Sequence, residues 1–256
     1  MKHDRLQVMK ELMLKKREVT TAQLCDTFGV SIETIRRDLN VLEREGVIRK
    51  VYGGAVLADD NATPALMAAW KERARVASAE KTRIAKKAVE FVPDDCVLVL
   101  DSGTTMYKVA RELRRCKNLT VLSNSLYNVM EVSANTEHLA YCVGGAVKKG
   151  EEITTGFLAA DFFGSFGKID VALISADGLS LEQGITDYSM EMGLLKRRFI
   201  QKSGKVIAVA DHTKFGVNAM CGTCDIERID ILVTDKRAPA EMLDEMRRRG
   251  IQVVVV

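Results

Sequence analysis

The sequence predicts an α/β protein in two parts: a small helical unit at the N-terminus and a larger unit built around a parallel β-sheet. Residues 1–57 carry apolar residues at helical spacing and end in a short strand-like segment. From residue 97 onward, apolar runs alternate with helical patterns. Such alternation favours a parallel sheet covered by helices on both faces. An apolar content of 47% is enough for a sizeable core and argues against disorder.

Residues 31–54 hold the most informative pattern. At about 100° per residue, one helical stripe carries four apolar side chains, Ile32, Ile35, Leu39 and Leu42. Ser31 stands where an N-cap belongs, and Gly46 is expected to end the helix. Residues 48–51 then combine apolar and basic side chains, so we expect a short basic hairpin after the helix.

A shorter helix is expected upstream, at about residues 21–28, followed by a turn at Gly29 and Val30. A short helix, a tight turn and a cationic helix form the helix-turn-helix arrangement, and the basic hairpin adds a wing. An arginine near the start of a helix in the major groove can pair with guanine, while short polar side chains reach phosphates. The predicted DNA contacts are Ser31, Glu33, Thr34, Arg36, Arg37, Arg49 and Lys50. The alternative is an ordinary helical subdomain with a solvated charged face.

The distribution of charge supports a polyanionic partner for the N-terminal unit. Residues 1–57 contain 11 Lys+Arg and 8 Asp+Glu, whereas residues 58–256 contain 27 of each. The formal excess of +3 therefore lies wholly in the unit with the helix-turn-helix pattern, as expected for binding to nucleic acid.

The sequence predicts a cytoplasmic protein without a membrane span. It has no apolar run near the roughly 20 residues that a span requires. Its first residues lack a signal-peptide core, and its six cysteines follow no disulfide framework. Cys221 and Cys224 form a CxxC pair, but without a second pair nearby, zinc or redox chemistry is the less favoured interpretation. Cys96 and Cys142 are expected in the core.

We expect three segments: a DNA-binding unit at 1–57, a linker with the start of a connecting helix at 58–75, and the larger unit at 76–256. Residues 3–16 are expected to form a first helix, with Leu6, Met9, Leu12 and Met13 as its buried stripe. The polar residues 58–64 include a proline and indicate the linker, and one long helix is expected from about 67 to 91. Strands are expected at 97–100, 119–122, 139–143, 171–174, 206–210, 231–233 and 251–256, and helices at 106–115, 126–133, 190–201 and 239–249.

Polar or small residues follow five of the predicted strands. The five segments are Asp101-Ser102-Gly103-Thr104-Thr105, Ser123-Asn124-Ser125, Gly144-Gly145, Ser175-Ala176-Asp177-Gly178 and Asp211-His212-Thr213-Lys214. Ligands of parallel sheets bind beyond the carboxyl ends of the strands, and glycine with hydroxyl residues at a helix N-terminus suits a phosphate. We therefore expect a small phosphorylated ligand, with ordinary turns as the alternative. A dinucleotide is less favoured because DSGTT is not GxGxxG.

The ordered motifs of the chain resemble those of the DeoR family of bacterial sugar-metabolism repressors. TIRRDLNVLEREGVIRKVYGGA is similar to the family's DNA-binding domain. EKTRIAKKA, VLDSGTT, SNS, GG, ADG, ADHTKFG and DILVTD are similar to its sensor domain. The resemblance covers nearly the whole chain. It implies a sensor fold like that of ribose phosphate isomerases and glucosamine phosphate deaminases, and dimers or higher oligomers. It also implies repression of a catabolic operon that is relieved by a phosphorylated sugar or related metabolite.

The resemblance implies roles for individual residues of the sensor unit. Ser102, Gly103, Thr104 and Thr105 would hold phosphate with Lys81 nearby, and the rest of the pocket would include Asp101, Asn124, Gly145, Asp177, Glu191 and Lys214. Together with the strand-end positions Ser123, Gly144, Gly178 and Asp211, these residues form the predicted effector site.

One departure from the related isomerases argues against turnover. In those enzymes catalytic carboxylates follow the Asp-Gly turn closely, whereas here Asp177-Gly178 is followed by three uncharged residues and the nearest acid is Glu182. A general base must reach the substrate proton within hydrogen-bond distance. We therefore expect no catalytic residue, no cofactor and no metal. The alternatives are an isomerase or deaminase with an appended DNA-binding module, and a purely architectural DNA binder. The sequence leaves open the effector, the operator and the sign of regulation.

Overall fold

In a computed structural model the chain divides into two compact units, Met1–Ala69 and Trp70–Val256. The structure describes residues 5–6, 8–10, 12–13, 18–44, 48–51, 54–57, 70, 73–148 and 150–256. Several sequence predictions lie outside these residues: the helix end at Gly46, the linker at 58–64, and the start of the long helix at 67–69. The side chain of Arg49 is also outside the description.

The N-terminal unit contains the predicted helix-turn-helix. Its elements are β1 (Glu18–Thr20), α1 (Thr21–Phe28), α2 (Ile32–Arg44), β2 (Ile48–Val51) and β3 (Gly54–Leu57). Thr20 caps α1 in a reciprocal capping box with Gln23, and Gly29 ends the helix in the left-handed conformation at φ 61°. The Ser31 hydroxyl accepts a hydrogen bond from the Thr34 N–H at 3.4 Å, which confirms the predicted N-cap.

The core of this unit lies under α2. Its fully buried members are Met9, Met13, Val19, Leu24, Ile35, Leu39, Leu42, Ile48 and Ala55. Ile32, the first residue of the predicted apolar stripe, has a side chain that is 51% exposed. Ile32 occupies the first position of α2, and burial along this helix starts one turn later, at Ile35. Residues 5–6, 8–10 and 12–13 are helical, as predicted.

The wing is a three-stranded antiparallel sheet in the order β1-β3-β2. The predicted basic hairpin corresponds to β2 paired with β3, whereas β1 is not predicted from the sequence. Gly54 pairs with Thr20, and a Cβ there would lie 2.2 Å from the Val19 carbonyl oxygen. A glycine is therefore required for β1 and β3 to pair.

The second unit is built on a seven-stranded sheet in the order β15-β14-β12-β9-β4-β5-β6, in which every pair is parallel. Its strands are β4 (Val97–Leu100), β5 (Thr120–Ser123), β6 (Leu139–Cys142), β9 (Ile169–Ser175), β12 (Ser203–Val209), β14 (Ile231–Thr234) and β15 (Gln252–Val255). Each of the seven predicted strands is present, with small shifts of its ends. Five shorter strands form a hairpin, β7 (Ala146–Lys148) with β8 (Ile153–Thr155), and the antiparallel set β10 (Gly178–Ser180), β11 (Gly184–Asp187) and β13 (Cys221–Cys224).

Helices cover both faces of the seven-stranded sheet. They are α3 (Ser78–Ala88), α4 (Thr104–Glu112), α5 (Leu126–Asn135), α6 (Phe157–Phe162), α7 (Met190–Lys202) and α8 (Ala240–Arg248). One core layer packs α3 and α4 on the sheet through side chains such as Ile84 and Met106. The other contains Leu195 and Phe199 of α7. Among the described residues, no helix combines the length and apolar character that crossing a membrane requires.

The predicted continuous helix from 67 to 91 is wrong. Residues 73–75 are helical, residues 76–77 form a turn, and α3 begins at Ser78. Ala77 adopts a left-handed conformation at φ 50°, and the Arg73 carbonyl oxygen lies 2.7 Å from the Lys81 Nζ. No glycine or proline marks this turn in the sequence.

Candidate functional site

The carboxyl ends of β4 and β9 border a cavity of about 380 Å³ in the second unit. Its charged lining residues are Arg73, Asp101, Lys148, Glu151, Asp177, Asp187, Lys196 and Lys214, and its other lining residues are Trp70, Ser102, Gly103, Ser125, Ile153, Ser175, Tyr188, Ser189 and Met192. Polar residues thus outnumber apolar residues in the lining of this cavity, as suits a ligand with many hydroxyl groups.

A second, smaller cavity of about 170 Å³ adjoins the first. The two cavities share Arg73, Gly103, Ser175, Asp177 and Lys214, and the smaller one adds Val76, Lys81, Thr104, Thr105, Ala176 and Thr213. It lies at the N-terminus of α4, where Gly103 has φ 111° and precedes two buried threonines. Free backbone N–H groups and the helix dipole favour an anion there.

The larger cavity has a buried ion network on one side. Lys196, 2% exposed, lies 2.7 Å from Asp187 Oδ1 and 3.1 Å from Asp101 Oδ2, and it donates to the Ser175 carbonyl at 2.7 Å. The Thr223 hydroxyl donates to the other oxygen of Asp187. Burial alone lowers the pKa of Lys196, but the charges of Asp101 and Asp187 outweigh it and hold the pKa above the usual value.

Asp101 presents one carboxylate oxygen without a partner. Its Oδ2 accepts hydrogen bonds from the Ser175 N–H at 2.9 Å and from the Ser175 hydroxyl at 2.8 Å. Its Oδ1 is buried and has no hydrogen-bond partner among the described residues. Burial raises the pKa of Asp101, an effect that the charge of Lys196 opposes. A buried acceptor left unpaired costs free energy.

The smaller cavity is lined by cations instead. Lys81 is 4% exposed and lies 3.8 Å from Asp211 Oδ2. Burial lowers the pKa of Lys81; Asp211 opposes this shift, and the nearby charges of Lys214, Lys108 and Arg73 add to it. An anion in this cavity would favour the charged form of Lys81.

Lys214 is held by the short helical turn His212–Lys214. The buried Asp235 accepts hydrogen bonds from the His212 N–H at 2.8 Å and from His212 Nδ1 at 3.1 Å. Burial alone raises the pKa of Asp235, but hydrogen bonds from His212 and Arg237 outweigh it and keep the pKa below its ordinary value. This turn places Lys214 in both cavities.

The structure divides the predicted effector residues into two groups. Those that line a cavity are Lys81, Asp101, Ser102, Gly103, Thr104, Thr105, Asp177 and Lys214. Those that line neither cavity are Ser123, Asn124, Gly144, Gly145, Gly178, Glu191 and Asp211.

Several residues of the second group make close contacts within the fold. The Ser123 hydroxyl donates to the Leu100 carbonyl at 2.7 Å, and the Asn124 amide donates to the Thr154 carbonyl at 3.2 Å. A Cβ at Gly145 would lie 2.4 Å from the Thr155 carbonyl oxygen, and one at Gly178 would lie 2.3 Å from the Val217 carbonyl oxygen. Glu191 is exposed on the first turn of α7.

Sequence reasoning missed Trp70, Arg73, Asp187 and Lys196. The signal for Lys196 is present in the sequence, because it shares the buried stripe of α7 with Met192, Leu195 and Phe199. Lys81 likewise shares the buried stripe of α3 with Ile84, Ala85 and Ala88. A lysine on an apolar stripe must find buried partners, and is therefore a candidate site residue.

The CxxC pair does not form a shared site. Cys221 and Cys224 lie at the two ends of β13, both thiols are free, and the pairing of β13 with β11 is bulged between them. Burial raises the pKa of Cys224 to about 11, which disfavours the thiolate that metal binding and redox chemistry need. Within the described ranges, no group of three or more His, Cys, Asp or Glu side chains is arranged to hold a metal ion.

The outer face of α2 is exposed in the N-terminal unit. Ser31, Glu33, Arg36 and Arg37 are exposed, and Thr34 is half-buried. The Arg37 guanidinium lies 3.4 Å from the Glu33 carboxylate. Lys50 lies on the wing, and its Nζ contacts Asn40 Oδ1 at 2.5 Å and Glu43 Oε2 at 3.1 Å.

Lys50 thus connects the wing to α2. The Lys50 backbone N–H also donates to Glu43 Oε1 at 3.0 Å. Hydrogen bonds from the Lys50 backbone and side chain lower the pKa of Glu43.

Family models match both units of the chain. The model described as the DeoR-like helix-turn-helix domain matches residues 5–61, and the model described as the DeoR C terminal sensor domain matches residues 76–236. The chain belongs to the DeoR family. This DeoR-family protein is a DNA-binding transcriptional regulator with a sensor domain for a small molecule, and its relatives are regulators rather than enzymes.

Characterised relatives align over nearly their full length. The HTH-type transcriptional regulator GolR of Listeria innocua is 31% identical over 95% of this chain and 94% of its own. The HTH-type transcriptional repressor GlcR of Bacillus subtilis is 31% identical over 98% of this chain and 95% of its own. The glycerol-3-phosphate regulon repressor of Escherichia coli is 30% identical over 95% of this chain and 94% of its own.

Among solved structures, ribose 5-phosphate isomerase A from Methanocaldococcus jannaschii is 15% identical, with TM-score 0.40 over 54% of this chain and 55% of its own.

Replacing Lys196 by methionine is expected to destabilise the DeoR-family protein by about 3–5 kcal/mol, because it leaves two buried carboxylates without a cation. Urea unfolding followed by circular dichroism measures the change. The deficit should shrink as the pH falls from 7 toward 4, because burial raises the pKa of Asp101, which in the variant binds a proton in the folded state that the unfolded chain does not yet bind. Lys168→Met is the control, since Lys168 is 76% exposed. An equal cost for both variants would contradict the assigned role of Lys196.

Proposed function

We propose that this regulator represses a carbohydrate catabolic operon, and that it releases operator DNA when a phosphorylated sugar occupies the two adjoining cavities. The observation that carries the proposal is the pairing of unlike cavities: cations, threonines and a helix N-terminus in the smaller one, and carboxylates with hydroxyl residues in the larger one. A phosphate suits the first and the hydroxyl groups of a sugar suit the second.

The relatives support this proposal. One is named for the glycerol-3-phosphate regulon and another is a putative repressor of the aga operon, both in Escherichia coli. In this proposal the phosphorylated sugar binds the arrangement that releases DNA more tightly than the arrangement that binds DNA. The sugar can weaken DNA binding only if its own affinity for the two arrangements differs.

For DNA, the proposal assigns base recognition to the exposed face of α2. Arg37→Ala should weaken binding to the chain's own upstream region by about 1–3 kcal/mol, the contribution of a bidentate pair with guanine. Gel shifts at fixed salt concentration measure it. Arg247→Ala is the matched control, because Arg247 is also a helical arginine paired with a carboxylate about one turn away, at 2.7 Å from Asp244. Unchanged, sequence-selective binding by Arg37→Ala would defeat the assignment.

For the effector, a panel of phosphates should raise the melting temperature and alter DNA binding. The panel comprises inorganic phosphate, glycerol 3-phosphate, pentose 5-phosphates, hexose 6-phosphates and amino-hexose 6-phosphates, with the same sugars unphosphorylated as controls. Thr104→Val, which removes a hydroxyl from the smaller cavity, should reduce the response. If no phosphorylated compound shifts the melting temperature or the DNA affinity, the assignment of the cavities fails.

We also propose that the protein acts as a homo-oligomer with double-stranded operator DNA. Regulators with one helix-turn-helix per chain bind paired half-sites as dimers. An exposed apolar surface on α6 and α7 is available to bind a second copy of the chain. On α6, Phe157 and Leu158 are 80% and 66% exposed, and on α7, Met190 and Leu194 are 59% and 50% exposed. The two helices contact each other.

Light scattering after size exclusion should therefore give a multiple of the 28.3 kDa chain mass. Leu194→Lys should shift the protein toward the monomer, because it places a charge in the proposed interface. A monomeric wild type at micromolar concentration would exclude this interface.

A further inference from the structure

The first described residues of the second unit form part of the cavity wall. Trp70 lines the larger cavity, and Arg73 lines both cavities. These residues precede α3, and in the sequence they come directly after the N-terminal unit, which ends at Ala69. None of the five polar strand ends includes them, so the sequence pattern that predicts the site does not reach this segment.

Arg73 brings a cation to the smaller cavity. It is exposed, and its guanidinium makes no hydrogen bond or ion pair within the described part of the chain. Lys81 and Lys214 line the same cavity, whereas its one acidic lining residue is Asp177. Guanidinium groups bind phosphate bidentately, which lysine ammonium groups do not. An anion that contacts the two lysines can therefore complete its coordination with Arg73.

Lys81 links the position of Arg73 to the cavity. Its Nζ donates to the Arg73 carbonyl at 2.7 Å, across the left-handed turn at Ala77. An ammonium group has three donors, so this bond leaves others for a ligand. Lys81 thus bonds to the backbone of Arg73 and can also bind an anion in the smaller cavity.

Trp70 is fixed by aromatic contacts at the larger cavity. Its ring centroid lies 5.2 Å from that of Tyr127 and 6.0 Å from that of Tyr107, the latter in an edge-to-face arrangement. Such pairs favour one defined ring geometry. A sugar in the larger cavity would meet the indole beside Tyr188 and Met192, which line it as well.

We propose that Arg73 binds the phosphate group of the effector and that Trp70 contacts its sugar, so that occupancy of the cavities holds in place the segment that follows the DNA-binding unit. This rests on the proposed function, because it specifies how the same cavities bind a sugar phosphate. The energetic reason is direct: a ligand that bonds to Arg73 binds more tightly when this segment lies against the cavities, and it therefore favours that position.

The test uses full-length Arg73→Ala, Arg73→Lys and the matched control Arg75→Ala. Arg75 is exposed two residues away and lines neither cavity. Isothermal titration with inorganic phosphate and with the sugar phosphates of the panel measures affinity. Trp70 is the only tryptophan of the chain, so its fluorescence reports on the larger cavity without a label. Melting temperatures without added phosphate verify that each variant is folded.

The expected result is a rise in Kd of roughly tenfold to a hundredfold for Arg73→Ala, as for loss of a hydrogen-bonded charge pair. Arg73→Lys should recover part of the affinity, and Arg75→Ala should stay within about twofold of the wild type. Saturation of the wild type with the sugar phosphates should change Trp70 emission, whereas unphosphorylated sugars should not. Equal affinities for Arg73→Ala and Arg75→Ala, or unchanged Trp70 emission in a wild type that binds by calorimetry, would overturn this proposal alone. A wild type that binds none of the phosphates would overturn the proposed function with it.

Discussion

The contacts of Lys196 join three strand ends at one point. Its ammonium group bonds to Asp101 after β4, to the last carbonyl of β9 at Ser175, and to Asp187 at the end of β11. Without this cation, two carboxylates and a carbonyl would face one another in a region that water does not reach. Removing charges from water costs several kcal/mol per ion, which a buried pair recovers only with good geometry. The network therefore adds little net stability, but it fixes where the strand ends lie.

That constraint shapes the cavity before any ligand arrives. Asp101 is bound through one oxygen only, and the other oxygen remains a buried acceptor without a partner in the described chain. The ion network thus fixes the position of the Asp101 carboxylate in the wall of the larger cavity. The smaller cavity differs, because Lys81, Lys214 and Arg73 outnumber the acidic groups around it. A ligand with one anionic end and several hydroxyl groups can satisfy both cavities in a single orientation.

The sequence predicts the framework of this site better than its details. Buried parallel strands appear as local apolar runs, so all seven strands of the large sheet could be located, and with them the edge where a ligand binds. A polar residue at a strand end has two possible roles, however, and the local pattern does not distinguish them. Ser102 lines the larger cavity, whereas Ser123 bonds to a neighbouring carbonyl and supports the backbone. Which role applies depends on tertiary contacts that are distant in sequence.

Other parts of the site escaped prediction for identifiable reasons. Asp187 ends a short strand, β11, which pairs with β10 in a hairpin and has no long apolar run. Arg73 precedes a turn in which a left-handed alanine interrupts the helical pattern, and no glycine or proline signals it. Lys196 did carry a signal, since it falls on an apolar helical stripe, as the predicted Lys81 also does. Interpreting every lysine as solvated discards that information.

The same distinction between supporting and contacting cations applies to the N-terminal unit. Lys50 bonds to Asn40 and Glu43, so using it to bind a phosphate would first break several contacts that hold the wing against α2. Arg37 has one exposed carboxylate partner at 3.4 Å, and exposed ion pairs of this kind contribute little. Arg37 can therefore leave Glu33 and bind guanine at almost no cost in free energy. Moving the Lys50 side chain would cost more, because its contacts with Asn40 and Glu43 would be lost. On this physical ground Arg37 is the stronger candidate for the proposed base recognition, and Lys50 holds the wing against α2.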